Sequence, residues 1–374
     1  MNKHHCPVIH GALQIDLRQT HRQNGARINS CCLRNDLSPI SKGGNGNPWT
    51  DAVLQPLRDF NLSTDAFHTG CWNCESAELS GLTSFRTGML EKYGYQINLS
   101  GPQRLDLMVD TNCNLACRTC GPGLSTYWQK HLKDNNLSTH IISANSSKSD
   151  DMIDILKQMD LTNLQDVVFC GGETLLGQSY WKVAEALIEL APIDKLTLSF
   201  QTNGTIALTD RNFEIMSKFH LVKFNVSIDG VGEQFEYLRW PAKWDQLTAN
   251  IQRTVEKSPV NVMFLVEETI SIFNLYYQGT VDKWVQENFS TNRLGDIVNH
   301  TKHMANETYR LDMLTQEYID ALPVLSKNLV NPSWQEQETG IAKMINQIQQ
   351  FDLIRNQDWR KTFPEVAGFY SRYI

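Results

Sequence analysis

The stretch LDLMVDTNCNLACRTC, residues 105–120, passes from an apolar run of strand length directly into a loop holding three cysteines spaced C-x3-C-x2-C. Further runs of the same kind follow: DVVFC (166–170), KLTLSFQT (195–202), VKFNVSID (222–229), VNVMFLVE (260–267) and GDIVNHT (295–301). Helical patterns lie between them, as in the stripe Trp244, Leu247, Ile251, Val255 and in Val281, Trp284, Val285. Strands alternating with helices predict a parallel sheet buried on both faces. The expectation is an α/β fold, a partial (β/α)6 TIM-like barrel spanning residues 99–305.

Composition sets the outer limits. The chain has 374 residues, 41% of them hydrophobic and 20% charged, with a net charge of -7. No run approaches the roughly 18 apolar residues of a membrane span, and an acidic balance offers no general basic face for nucleic acid. MNKHHCPVIHGALQIDL lacks an apolar h-region, so no secretory signal is expected and the cytoplasm is the expected compartment. In a reducing compartment nine cysteines, several in C-x2-C pairs, point to metal ligation or catalysis over disulfides.

Cys113, Cys117 and Cys120 fall just beyond the first barrel strand, at the strand end where parallel α/β folds build their sites. A structural zinc is closed by four ligands, and no fourth stands nearby. Three thiolates suit a four-iron cluster that keeps one iron open to a small-molecule ligand.

CNLACRTC after the first strand, CGGETLL (170–176) after the second, QTNGT after the third and SIDGVGEQFEYLR (227–239) after the fourth resemble the radical S-adenosylmethionine (SAM) enzymes in motif, order and placement. The resemblance covers about residues 103–300. It implies that Cys113, Cys117 and Cys120 hold a [4Fe-4S] cluster whose open iron is chelated by SAM, and that reductive cleavage of SAM gives a 5′-deoxyadenosyl radical. It implies further that Gly171 and Gly172 let the backbone approach SAM and that Glu173 accepts hydrogen bonds from its amino group. Asn203 and Ser227 would bind its ribose or carboxylate, and Arg239 would pair with the carboxylate. Thr174 departs from the proline of many relatives. Cys170 reads as a small core residue.

Five cysteines precede the barrel. ALQIDL and ARINSC flank Asn24-Gly25, a turn signal that makes residues 12–31 a β-hairpin. SPISKGGNGNP (38–48) reads as a loop and WTDAVLQPLRDF as a short helix that tolerates Pro56. Cys6, Cys31, Cys71 and Cys74, placed around these elements, resemble the shortened auxiliary-cluster module called a twitch domain, here at residues 1–98. A second [4Fe-4S] cluster is the implied cargo, zinc the alternative, and Cys32 the alternate to Cys31. Residues 134–150 look like a mobile polar insertion. Ile341, Met344, Ile345, Ile348 and Phe351 mark an amphipathic helix in a C-terminal extension, 306–374.

The expected activity is hydrogen abstraction from a peptide or protein, with a low-potential donor such as ferredoxin or flavodoxin. Oxidation or rearrangement of a small metabolite such as a sugar or nucleotide stays open, and a zinc-stabilised binding protein is the non-enzymatic reading. No residue emerges as a catalytic acid or base; Tyr276, Tyr277, His300 and His303 stay unassigned.

Overall fold

A computed structural model describes residues 4–17, 26–34, 38–39, 46–79, 81, 83–137, 148–288, 303–304, 309–327, 329–330 and 335–374. Its main sheet contains β1 (Ala12–Asp16), β2 (Arg27–Asn29), β3 (Ser38–Pro39), β4 (Arg104–Met108), β5 (Asp166–Cys170), β6 (Thr197–Thr202), β7 (Leu221–Ser227) and β8 (Val262–Glu267), in the order β3-β2-β1-β4-β5-β6-β7-β8. Strands β1 and β4 to β8 run parallel, while β1, β2 and β3 pair antiparallel. The ends β3 and β8 do not meet, so the sheet curves without closing. The architecture is the expected partial barrel.

Two faces of this sheet follow from strand alternation. Leu107, Phe169, Phe200, Phe224 and Phe264 stand in one register row, and their rings succeed one another at 5.2, 5.4 and 5.6 Å from Phe169 to Phe264. They pack under the helices, with Trp181 of the Ser179–Leu190 helix 4.9 Å from Phe200. The opposite row runs Gln14, Asp106, Val168, Ser199, Lys223 and Met263. Both faces are covered, as the sequence predicts, but only one is apolar. The concave face is polar because it lines the interior of the barrel instead of packing on helices.

The helices expected from the stripes form at Trp244–Lys257, Thr280–Asn288 and Glu338–Arg355. The one expected near residue 49 starts later, at Gln55, with Pro56 in its first turn, where a missing N–H costs nothing. The run 295–301, residues 138–147 of the polar insertion and His300 lie outside the described residues. The two strands of the expected hairpin pair antiparallel, with Gln14 opposite Asn29 and Asp16 opposite Arg27, while the Asn24-Gly25 turn lies outside the described residues. One difference is that β1 also joins the barrel: it pairs along its whole length with β4, and Leu13, Ile15 and Ile28 enter the main core. A small separate apolar cluster contains Cys6, Val8, Ile9, Ala12 and Cys31. A third, holding Tyr237, Ile272, Phe273, Ile345, Ile348 and Trp359 among others, ties the C-terminal helices to the segments after β7 and β8. Tyr276 and Tyr277 pack against it, the latter bonded to Glu365.

Candidate active site and auxiliary centre

The loop after β4 is held by bonds along its length. Cys113 N donates to Thr126 Oγ1 at 3.1 Å, Ser125 Oγ to Leu115 O at 2.5 Å, and Trp128 Nε1 to Cys117 O at 2.8 Å. The backbone of Ala116 donates to Trp240 O and that of Arg118 to Leu238 O, at 2.8 and 2.7 Å, so Leu238–Trp240 runs alongside the three cysteines. Cys117 is buried and Cys113 and Cys120 are half-buried; all three are free thiols. Burial pushes the Cys113 thiol up to about 12 and raises Cys117 as well, Arg239 acting the other way on Cys117. A cation is what would hold such thiols as thiolates.

Around this loop the other expected residues gather, though mostly with partners in the chain itself. Glu173 is 1% exposed and spans two strand ends: Oε1 accepts from Thr202 Oγ1 at 2.6 Å and Leu175 N at 3.0 Å, Oε2 from Asn203 N at 2.6 Å. Burial raises its pKa despite these bonds. Asn203 donates to Asn114 Oδ1 at 2.9 Å, and its own Oδ1 accepts from Thr205, so it fastens its turn to the cysteine loop. Arg239 makes a buried two-point pair with Asp229, at 2.8 and 2.9 Å. Ser227, half-buried at the end of β7 where it pairs with Glu267, has no side-chain hydrogen bond among the described residues.

The two glycines are required by the fold as it stands. Gly171 has φ +133, and a Cβ there would lie 2.4 Å from Tyr180 Oη and 2.7 Å from Asp110 O. At Gly172 it would lie 2.1 Å from Asn112 O. The close approach that these glycines permit is that of the cysteine loop's own backbone. Tyr180, which sequence reading missed, donates to Cys170 O at 2.6 Å and accepts from Val109 N at 3.2 Å, clasping β4 to β5. Asp229 was also missed, although it stands in the quoted SIDG motif.

A second site lies beside β1. Cys6, Cys31, Cys71 and Cys74 line one cavity, together with the side chains of Arg34 and Arg86. Arg34 donates from Nη1 toward Cys71 Sγ at 3.7 Å, and Gly70 leaves room for its guanidinium. Burial raises the thiols of Cys6, to about 12, and of Cys74. Cys32 is not among the lining residues; its thiol is raised by a hydrogen bond with Cys31 and by burial, with Asp106 and Arg104 of the concave face also near it.

Three thiols along one loop would ligate three irons of a four-iron core and leave the fourth open, while four thiols around a common cavity would suit either a complete four-iron cluster or zinc.

Residues 109–272 match the family model of the Radical SAM superfamily. This stretch is a radical SAM domain. No curated protein matches. Among solved structures, one similar chain is that of anSMEcpe with bound AdoMet, at 16% identity and TM-score 0.38, covering 68% of this chain and 59% of that one. Native anSMEcpe with bound AdoMet and Cp18Cys peptide gives 16%, 0.36, 56% and 54% in the same order. Streptococcus suis SuiB bound to S-adenosylmethionine gives 14%, 0.37, 80% and 66%. The chain thus spans less than two thirds of the length of each. Among the described residues no helix is long and apolar enough to cross a membrane.

Proposed function

We propose that the protein cleaves SAM reductively at a [4Fe-4S] cluster held by Cys113, Cys117 and Cys120 and abstracts a hydrogen atom from a peptide or protein. The carrying observation is the placement of these three thiols at the carboxyl end of β4 within the radical SAM domain. When bound, the cluster would supply the electron that breaks the sulfonium bond of SAM. The chain's own groups do the rest. Glu173, Asn203 and Arg239 brace the loop ends, while the Ser227 hydroxyl would be available to the ligand. Gly171 and Gly172 hold the second strand end against the cysteine loop.

Two features support an amide-bearing substrate. Among the described residues the sheet is open between β3 and β8, an opening that would admit an extended chain from the side. On its concave face Gln14 Oε1 and Asn225 Oδ1 are buried without a donor among the described residues, and a peptide N–H supplies one. A hydroxyl-rich metabolite would supply donors as well and is the second reading. We assign Cys6, Cys31, Cys71 and Cys74 to an auxiliary [4Fe-4S] cluster in a twitch-like module, 1–98, ahead of the core, 99–305, and the extension, 306–374. A ferredoxin or flavodoxin in the cytoplasm would provide the electrons.

Iron and sulfide per chain after anaerobic reconstitution test the cluster assignment: about eight of each fit two four-iron clusters, and negligible iron sinks the proposal. Peptides that speed 5′-deoxyadenosine formation, where sugar nucleotides do not, support the peptide reading; the reverse overturns it.

A further inference from the structure

Arg355, the last residue of the Glu338–Arg355 helix, is 6% exposed and has no acidic partner among the described residues. Its guanidinium lies over the faces of Trp128, Trp240 and Phe351, with Cζ 4.6, 4.8 and 5.0 Å from the ring centroids. Nε donates to His131 Nε2 at 3.3 Å, while Nη1 and Nη2 have no hydrogen bond among the described residues. Burial and the neighbouring Arg118 charge lower its pKa to about 9. A buried cation in this state is costly unless an anion compensates it.

The surrounding carboxylates are committed elsewhere. Asp352 is taken by Arg118, Tyr237 and Trp359, and Asp229 by Arg239 and Thr269. Each of those two arginines has its own counter-ion, so Arg355 is left as a positive charge in surplus. The ring it lies on, Trp128, is the one whose Nε1 is bonded to Cys117 O. Trp240, another of its rings, contributes the carbonyl that accepts from Ala116 N. Three thiolates outweigh the dication of an oxidised four-iron core by one negative charge, and reduction adds a second.

We propose that Arg355 is the counter-charge of the cluster at Cys113, Cys117 and Cys120, a positioning residue supplied by the C-terminal helix. It stabilises the thiolate-bound state over the metal-free state and the reduced state over the oxidised one. The proposal rests on the cluster assignment, whose failure would show separately as missing iron in the wild type.

The test compares Arg355→Met and Arg355→Lys in the full chain, metal-free and reconstituted. Methionine keeps the apolar stem without the charge. The metal-free Met variant should melt no lower than wild type, while its reconstituted form melts lower and its EPR-monitored cluster is harder to reduce. The expected shift is about tenfold in the reduction equilibrium, or about 59 mV for one electron. Lysine should restore most of that shift. Equal loss of melting temperature in both forms with an unchanged potential, or a Lys variant displaced as far as Met, would overturn the assignment. If Arg355→Met does not fold, hydrogen exchange in wild type decides: amides of residues 344–357 should exchange more slowly once the cluster is loaded, and unchanged rates overturn it.

Discussion

Arg118 and Asp352 stand 234 residues apart in sequence and meet as a buried ion pair with N···O 2.5 Å, Arg118 lying over the ring of Tyr237 at 4.3 Å. Because Arg118 sits between Cys117 and Cys120, the C-terminal helix grips the cysteine loop directly. Removing one partner leaves the other buried and uncompensated, at a cost of about 3–5 kcal/mol. Asp352→Asn should therefore lower the melting temperature and reduce retention of the cluster at the three cysteines, read as the loss of its EPR signal over time. An unchanged signal with normal stability would show that the grip is dispensable.

Replacing Cys113, Cys117 and Cys120 together with Ala should abolish 5′-deoxyadenosine formation and halve the iron content, leaving the N-terminal centre in place. Persistent SAM cleavage in that variant refutes the assignment.

The adjacent pair Cys31-Cys32 separates cleanly. Since Cys31 lines the cavity with Cys6, Cys71 and Cys74 and Cys32 does not, Cys31→Ser should lose about half of the bound iron and Cys32→Ser almost none. The opposite pattern would reassign the ligand.

Most of the barrel is legible in the sequence, because β4 to β8 keep an unbroken apolar row that packs under helices. The joining of β1 to β4 is not. ALQIDL alternates like any hairpin strand, and nothing local states that its free edge will meet a partner nearly a hundred residues later. The site shows the same division. The cysteine spacing and the glycines are local signals, whereas the partners that Glu173, Asn203 and Arg239 take are set by tertiary placement. The Arg239 partner lies within the same motif, so an Asp ahead of an Arg on the next helix was an available clue. Arg118 and Arg355 carried no sequence signal, since their surroundings come from opposite ends of the chain.

Gly172→Ala tests the packing of the strand ends. A Cβ 2.1 Å from Asn112 O forces the loop to move, with an expected loss of about 1–3 kcal/mol together with weaker cluster loading. A variant of wild-type stability and iron content would show that the loop yields freely.

Glu268 provides the pH test. It is 3% exposed, and burial followed by the nearby Asp229 charge raises its pKa to about 8 from 4.5. Between these values the folded state holds a proton that the unfolded state has released, so stability falls as pH rises through that window. Each unit of the shift corresponds to about 1.4 kcal/mol. Glu268→Gln should thus raise the melting temperature at pH 8 and change it little at pH 4.5; equal effects at both values would contradict the shift.

The continuous pairing of β1 with β4 bears on any attempt to isolate the barrel. A chain trimmed to start near residue 99 would leave β4 unpaired along the edge that faced β1, and Leu105 and Leu107 stripped of the neighbouring Leu13 and Ile15. Such a bare edge is a template for association with other chains. The hairpin that carries Cys31 therefore also serves as the barrel's guard against aggregation, and the shortened protein should come out of solution whether or not its own cluster can assemble.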